Sequence, residues 1–480
     1  MPTRRPHVAA SATQTELAES LAALRLSLEL PGDFAPDALA EAQHASARLE
    51  LPSHDLTAIE FVTIDPPGST DLDQAVHIMR AEHGYVVHYA IADVPALVAP
   101  GGAVDREARL RGQTLYAADG RIPLHPPVIS DDAGSLLPEK TRSAYVWVFA
   151  LDTSANVLDV SVRRARVRSR ARLSYEEAQR LIDTGSAPAS IALLKEVGIA
   201  RIELEHQRGG ASLDSPDEEI VLDGDGYSLT RRQPLAVESW NAQISLMTGM
   251  SAASIMLAGG VGILRTMPAP STEEYETFRT QTGALGLPWP RGQSYGDYLR
   301  ELDRDDPTAL AVLQAATSLF RGAGYVAFDV AAGTAIPSET EQSAIAAPYA
   351  HTTAPLRRLV DRWVLVICAA LCAGAAVPQW ARDSLSELPR IMAASSRRAS
   401  ELDSASINRV EAALLSDSIG QHFEATVLSV RGNTARVQLA EPAVTAECVA
   451  PQHPAPGSRI TVMLVTAEIA SGTVRFEAVA

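Results

Sequence analysis

FVTIDPPGSTDLDQA, residues 61–75, sets three aspartates, Asp65, Asp71 and Asp73, between two apolar runs. Phe61–Ile64 has the composition of a buried strand, and Val76–Met79 that of the next one. Pro66, Pro67 and Gly68 break the chain between them. The carboxylates therefore leave a strand end and a rigid loop and point into one shared space. In an extended segment Asp71 and Asp73 face the same side, because side chains alternate. Converging carboxylates repel unless a cation joins them, and hard oxygen ligands select Mg²⁺ or Mn²⁺. Such a cluster suits phosphoryl chemistry. An acidic turn, with Asp side chains capping loop amides, is the alternative these residues leave open.

The flanking segments narrow the choice. Residues 61–75 resemble the metal-binding signature of the ribonuclease II and ribonuclease R family, the RNB exoribonucleases. VHYAIADVPALVAPGGAVDREARLRGQTLYAADGRIPLHPPVISDDAGSLLPE (87–139) is similar to that family's following strands and loop. RSRARLSYEEA (168–178) is similar to its strand-to-helix joint, and PYAHTTAPLRRLVDR (348–362) to its late Y-x-H-x-T-S-P-I-R-R motif. Four motifs in one order, spanning roughly Ile59 to Leu415, are far more specific than any one of them.

The resemblance implies an exonuclease that works from the 3′ end of single-stranded RNA, uses Mg²⁺ (or Mn²⁺) and releases 5′-nucleotides. It assigns Asp65, Asp71 and Asp73 to the metal and ties Asp73 to the chemical step. It places Arg357 at the scissile phosphate, Tyr116 as a ring stacked on RNA near the metal, and Glu401 in the channel. The family's fourth aspartate is here Gln74, whose amide oxygen can ligate but carries no charge. Ligand charge tunes dication affinity, so the site is expected to hold metal less tightly. The serine before the proline is Ala354, and ILRTMPAPS lacks the family's other stacking aromatic.

Composition bounds the rest. The chain has 480 residues, 46% of them hydrophobic, which predicts a large core and more than one domain. Three cysteines exclude a disulfide framework, and Cys368 and Cys372 sit at helical spacing in an apolar helix. The start MPTRRPHVAASATQ has no apolar signal region. Ser239–Leu264 is uncharged, but its Asn, Gln, Ser, Thr and Gly residues read as a buried helix and turn. A cytoplasmic protein with no membrane partner and no organic cofactor is expected. The net charge of −17 does not exclude an RNA partner, because whole-chain charge describes steering and not a local site.

Along the chain, the fold class read is α+β: an RNB-type mixed α/β catalytic domain with a deep channel, a short helical N-terminal region and a C-terminal OB-type β-barrel. Residues 1–55 form the helical preface, expected to pack on the catalytic domain, with a stop at Pro31-Gly32. This is too short for the paired cold-shock barrels of longer family members. The catalytic domain spans 56–416, with strands first and helices after. The spacing predicts helices over 176–182, 190–206, 238–257, 273–285, 307–319, 356–372 and 383–415. Residues 417–480 alternate β-branched residues with Gly and Asn turns and read as a small barrel. Phe423 and Phe476 are its evident stacking platforms.

Two basic features remain. In VRRARVRSRARL, Arg164, Arg166, Arg168, Arg170 and Arg172 share one strand face. They form either a solvated face or a stripe for phosphates, with Arg168 and Arg170 the RNA-binding candidates. In HTTAPLRRLVDR, Pro355 is placed to open a helix with Arg357 and Arg358 in its first turns. Their guanidinium forks suit phosphate, and an Arg357–Asp361 ion pair is the structural alternative. The sequence thus predicts a metal-dependent 3′-to-5′ exoribonuclease. Two other readings stay open: a weakened or inactive RNA-binding protein on the same fold, and a scaffold with no nucleic-acid role.

Overall fold

The computed structural model describes residues 11–118, 120–211, 217–223, 226–232, 234–303, 306–439 and 444–479. Two helices, α1 (Ser11–Ser27) and α2 (Pro36–Ala47), precede a closed five-stranded barrel. Its strands are β1 (Phe61–Asp65), β2 (Gln74–Ala81), β3 (Gly84–Ala92), β6 (Thr141–Leu151) and β7 (Val157–Ser174). Between β3 and β6 lie α3 (Ala103–Arg111) and a short hairpin, β4 (Leu115–Ala117) with β5 (Gly120–Ile122). The barrel closes through a parallel β1–β7 pair; its other pairs are antiparallel.

Side-chain size explains how five strands close. One buried cluster takes Phe61, Ala75, Ala90, Ala144, Val146, Ala165 and Val167 from all five strands, filling a narrow interior mostly with small residues. The alternate positions are large, among them Val87, Tyr89, Tyr145, Trp147 and Phe149, and belong to the main core. That core is covered by α5 (Ala189–Arg208), α6 (Ala236–Gly259) and α10 (Leu359–Cys372). A capping box on Ser174 and Glu177 turns β7 directly into α4 (Tyr175–Asp183). By length and composition α6 is apolar enough to cross a bilayer, yet Val237, Ile244, Met247 and Met256 are buried in this core.

The hairpin of β8 (Asp217–Asp223) and β9 (Gly226–Arg232) precedes α6. The two-stranded sheet of β10 (Val261–Thr266) and β11 (Gly324–Asp329) flanks an aromatic subcore on α7 (Thr272–Ala284), α8 (Tyr295–Glu301) and α9 (Pro307–Ala316). A tiny pair, β12 (Glu341–Gln342) and β13 (Ala347–Pro348), leads into the turn before α10. After α10 come α11 (Gln379–Asp383) and the long α12 (Leu388–Leu415).

A second closed barrel follows: β14 (His422–Arg431), β15 (Thr434–Leu439), β16 (Thr445–Val449), β17 (Arg459–Glu468) and β18 (Thr473–Ala478). Its strand order is β14-β15-β16-β18-β17, with β16 and β18 parallel, which fits an OB-type barrel.

Three expectations need correction. The helix after Pro355 starts at Leu359, because Arg358 is extended (φ −131°, ψ 126°). The Leu356 N–H, which a helix start at Pro355 would leave to solvent, instead donates to Asp73. Residues 70–73 are not a strand: Leu72 is fully buried between Asp71 and Asp73, bonded through its backbone to Ser135 and Leu136. Phe476 is fully buried, packed edge-on against Phe423, so it offers bases no platform. The helical preface packs on the catalytic span as expected, α2 on α3 and α1 on α12, and α1 also reaches the C-terminal barrel: Leu17 and Leu21 join its core, and the Ser20 hydroxyl donates to Ile469 O.

Candidate active site

Asp65 ends β1, and Gly68 at φ +81° lets the chain turn back after the two prolines. Asp73 lies two per cent exposed at the start of β2. Its Oδ1 accepts from the Leu356 N–H at 2.8 Å, and its Oδ2 stands 3.4 Å from Arg357 Nε. That contact joins residues 283 positions apart in the chain to one side of the barrel.

Oδ2 of Asp65 and Oδ2 of Asp73 are buried with no hydrogen-bond partner among the described residues. Desolvation raises the Asp65 carboxyl to about 6; Arg357 pulls it down and Asp71 pushes it up. Burial also holds Asp73 well above the usual carboxylate range, against the opposing pull of Arg357 and the Leu356 N–H. The two desolvated acids share the pull of the half-exposed Arg357, with Arg172 acting on Asp65 as well, and each keeps an oxygen without a hydrogen bond.

Asp71 is engaged elsewhere. Its Oδ2 lies 2.8 Å from Arg121 Nη1, and the same guanidinium reaches Asp131 at 2.6 Å. Gln74 donates its amide Nε2 to Thr353 O at 2.5 Å. The amide must point this way, since two oxygens at that distance would repel. It therefore stitches the aspartate loop to the arginine turn.

Do these residues fit a divalent cation? No three acidic, His or Cys side chains among the described residues form a ready cage. Mg²⁺, however, usually takes one or two carboxylates, keeps several waters and leaves room for a phosphate. Oδ2 of Asp65 and Oδ2 of Asp73 are hard oxygen donors of the kind that pattern uses.

The arginine turn divides its work. Arg358 grips Asp361 bidentately, Nε to Oδ2 at 3.0 Å and Nη2 to Oδ1 at 2.8 Å. Asp361 is fully buried and also takes the Ala354 N–H at 2.7 Å. The ion pair with Asp361 that was the alternative for Arg357 belongs to Arg358, and Arg357 keeps a side chain 46% exposed. His351 is held neutral, because burial and Arg358 push its pKa far down; its Nδ1 meets the Tyr325 hydroxyl at 2.7 Å.

Tyr116 stands 57% exposed and lines a cavity of about 380 Å³ with Arg357, Arg358, Gln113, Ser400 and Asp403. Its hydroxyl feels Arg357, Asp71, Asp73 and Arg121. Asp65, Asp71, Asp73, Tyr116 and Arg357 thus fall within one electrostatic neighbourhood. Glu401 does not line this cavity and is exposed. On α12 the residues at 399, 400 and 403 share a face, and each step turns 100°, which carries 401 aside. Asp403 takes its place.

The arginine strand is spoken for. Arg164 pairs with Asp93 at 2.7 Å and Arg166 with Asp55 at 2.8 Å. Arg168 pairs with Glu139, Arg170 donates to Thr57 O at 2.7 Å, and Arg172 to Ser69 O at 2.8 Å. Arg164, Arg166 and Arg168 share a face as expected, but a bulge where β7 pairs with β1 shifts the register after Ser169, and the alternation does not carry through to Arg172. Arg168 and Arg170 have protein partners where phosphates were envisaged.

Sequence reasoning missed Arg121, Asp131, Asp403 and Tyr175. Burial raises the Tyr175 phenol, which feels Asp65 and Arg357. Its position just after the β7 arginines and before a capped helix was the available signal.

Comparisons with known proteins give the family and the fold. Residues 53–373 match the RNB domain, and 421–479 match the RNase II-type exonuclease C-terminal S1 domain. A probable exosome complex exonuclease RRP44 of Caenorhabditis elegans is 29% identical over 324 residues, 65% of this chain and 34% of that protein. Exoribonuclease 2 of Photorhabdus laumondii is 35% identical over 190 residues, 38% of this chain and 29% of that one. The chain thus spans about a third of the length of the curated relatives it matches. In fold it resembles Mycoplasma genitalium RNase R, with a TM-score of 0.86 at 18% identity over 97% of this chain and 78% of that one. It also resembles yeast Ssd1, a pseudonuclease, with a TM-score of 0.66 at 18% identity over 87% and 54%.

Proposed function

Since this chain belongs to the RNB family, we propose that it is a hydrolytic 3′-to-5′ exoribonuclease on single-stranded RNA that depends on Mg²⁺ or Mn²⁺. The observation that carries the reading is the junction of Asp73 with Leu356 and Arg357. It sets an under-neutralised carboxylate and a half-exposed guanidinium 3.4 Å apart, beside an open tyrosine.

In this reading Asp65 and Asp73 hold the cation. When bound, it polarises a phosphoryl oxygen and makes water acidic enough to attack near neutral pH. Water adds to the last phosphorus, the bond from phosphorus to the upstream O3′ breaks, that oxygen takes a proton from solvent to become the new 3′-hydroxyl, and the released nucleotide keeps its 5′-phosphate. Arg357 steadies charge that builds on the non-bridging oxygens. Arg358 fixes the turn by gripping Asp361, which aims its neighbour. Tyr116 stacks on a base face, and stacking accepts any base.

The test is purified protein with 3′- or 5′-labelled RNA in Mg²⁺, Mn²⁺ or chelator. Stepwise loss of the 3′ end, stopped by chelator, is expected. RNA left intact in both metals would defeat the reading.

One observation favours a second reading, RNA binding without hydrolysis. Gln74 brings no charge, and its amide is committed to Thr353 O. Gln74→Asp separates the two. If a missing carboxylate limits hydrolysis, the substitution lowers the Mg²⁺ needed for half-maximal rate, despite losing the bond to Thr353. An RNA-binding relative stays inactive at every Mg²⁺ and Mn²⁺ concentration.

A further inference from the structure

Arg121 sits where no acidic-cluster motif would place a cation of the protein's own. Its Nη1 holds Asp71 Oδ2 at 2.8 Å, while Nη2 holds Asp131 Oδ1 at 2.6 Å and lies 3.2 Å from Thr70 Oγ1. Both carboxylates are largely buried, with side chains 15% and 27% exposed. In the β4–β5 hairpin Arg121 is the cross-strand partner of Tyr116. Opposed residues of an antiparallel pair project from one face. The other face carries Leu115 and Ile122, seated against Leu24 of α1 and Leu402 of α12. The hairpin is thus anchored behind, and in front it presents a stacking ring and a guanidinium together.

We propose that Arg121 is a positioning residue that competes with the divalent cation for Asp71, and so ties the Tyr116 platform to the filling of the carboxylate cluster. This rests on the reading of the cluster as a cation site. A dication binds its oxygens at about 2.0–2.1 Å. A dication that close to Asp71 Oδ2 repels the guanidinium on the same oxygen and draws on the same charge, so each weakens the other's hold. Arg121 has a retreat, because Asp131 already holds its other nitrogen. Coupling of this kind is reciprocal: what Arg121 costs the cation, the cation costs the latch that holds the hairpin.

The experiment uses full-length protein without RNA. Mn²⁺ binding is followed by electron paramagnetic resonance of the free ion, and hairpin opening by hydrogen exchange of amides 115–122. Arg121→Gln is expected to bind Mn²⁺ about fivefold or more tightly than the parent. Arg121→Lys, which keeps the charge and loses the fork, should fall between them. Mn²⁺ should speed hairpin exchange in the parent and leave it unchanged in Arg121→Gln. In an Asp71→Asn background, Arg121→Gln should no longer alter Mn²⁺ affinity. Equal or weaker Mn²⁺ binding by Arg121→Gln, no binding by any form, or parent hairpin exchange indifferent to Mn²⁺ would each overturn the proposal. No arm contains RNA, so failure of hydrolysis and failure of this latch are told apart.

Discussion

The arginine strand, Arg164 to Arg172, and the arginine turn, Arg357 and Arg358, are both dense in positive charge, yet they do opposite things. On the strand every outward guanidinium has a partner within the protein: three carboxylates and two backbone carbonyls. In the turn one arginine is consumed so that its neighbour stays available. Arg358 neutralises the buried Asp361, and Arg357 is left half exposed beside an acid that lacks a hydrogen bond on Oδ2. Charge density therefore says little about phosphate binding. What matters is how much of each charge the fold has already engaged.

The largest effects should come from the turn and its acid. Asp73→Asn is expected to cut hydrolysis by about 10³ or more, and Arg357→Ala by about 10²–10³, the range for removing one donor to developing charge. RNA affinity in chelator should change little in Asp73→Asn. Single-turnover rates on end-labelled RNA, beside filter binding, check both; parent-like rates in either variant would erase the distinction between turn and strand.

Next comes the consumed arginine. Arg358→Ala leaves Asp361 buried and unpaired, so a stability loss of about 3 kcal/mol is expected from urea unfolding. A loss under about 1 kcal/mol would mean that Arg358 is as dispensable as a surface arginine.

A smaller effect of opposite sign should come from Asp65. Its carboxyl titrates near 6 in the fold and near 3.8 when free. Between those values the folded chain holds the extra proton, so stability falls as pH rises through the window. Asp65→Asn removes that loss. In chelator it should gain about 1–2 kcal/mol at pH 7 and nothing at about pH 3. A destabilised variant at pH 7 would show that the acid is already neutralised.

The smallest change should follow Arg168→Ala with Arg170→Ala. RNA affinity should move less than about twofold, and the slope of log affinity against log salt should stay put. Each phosphate of a single strand that the protein ceased to neutralise would reduce that slope by about 0.7. A shallower slope would return the strand to the RNA path.

Much of this was legible. The aspartates, their proline-glycine break and the strands on either side follow from local chemistry, and the order of motifs pointed to the family. What failed depended on partners far along the chain. Pro355 announces a helix start, but Asp73 takes the Leu356 N–H and delays the helix to Leu359. Arg121 is an ordinary hairpin residue until register sets it opposite Tyr116 and in reach of Asp71. Glu401 and Asp403 differ only by helical phase, which no motif spacing resolves. The shared face of Arg164, Arg166 and Arg168 was readable from alternation, whereas the bulge beyond Ser169 and the partners Asp93, Asp55 and Glu139 were not.

The bond from the Leu356 N–H to Asp73 also sets a timetable. At about 5–20 residues per second, a ribosome needs roughly a quarter of a minute to a minute to cross the 283 residues between its ends. For that interval the acids exist without the turn that completes them. Synthesis thus finishes the proposed catalytic constellation late, after the first barrel has had time to fold. Until Leu356 has emerged, a chain still on the ribosome carries only one half of the proposed site.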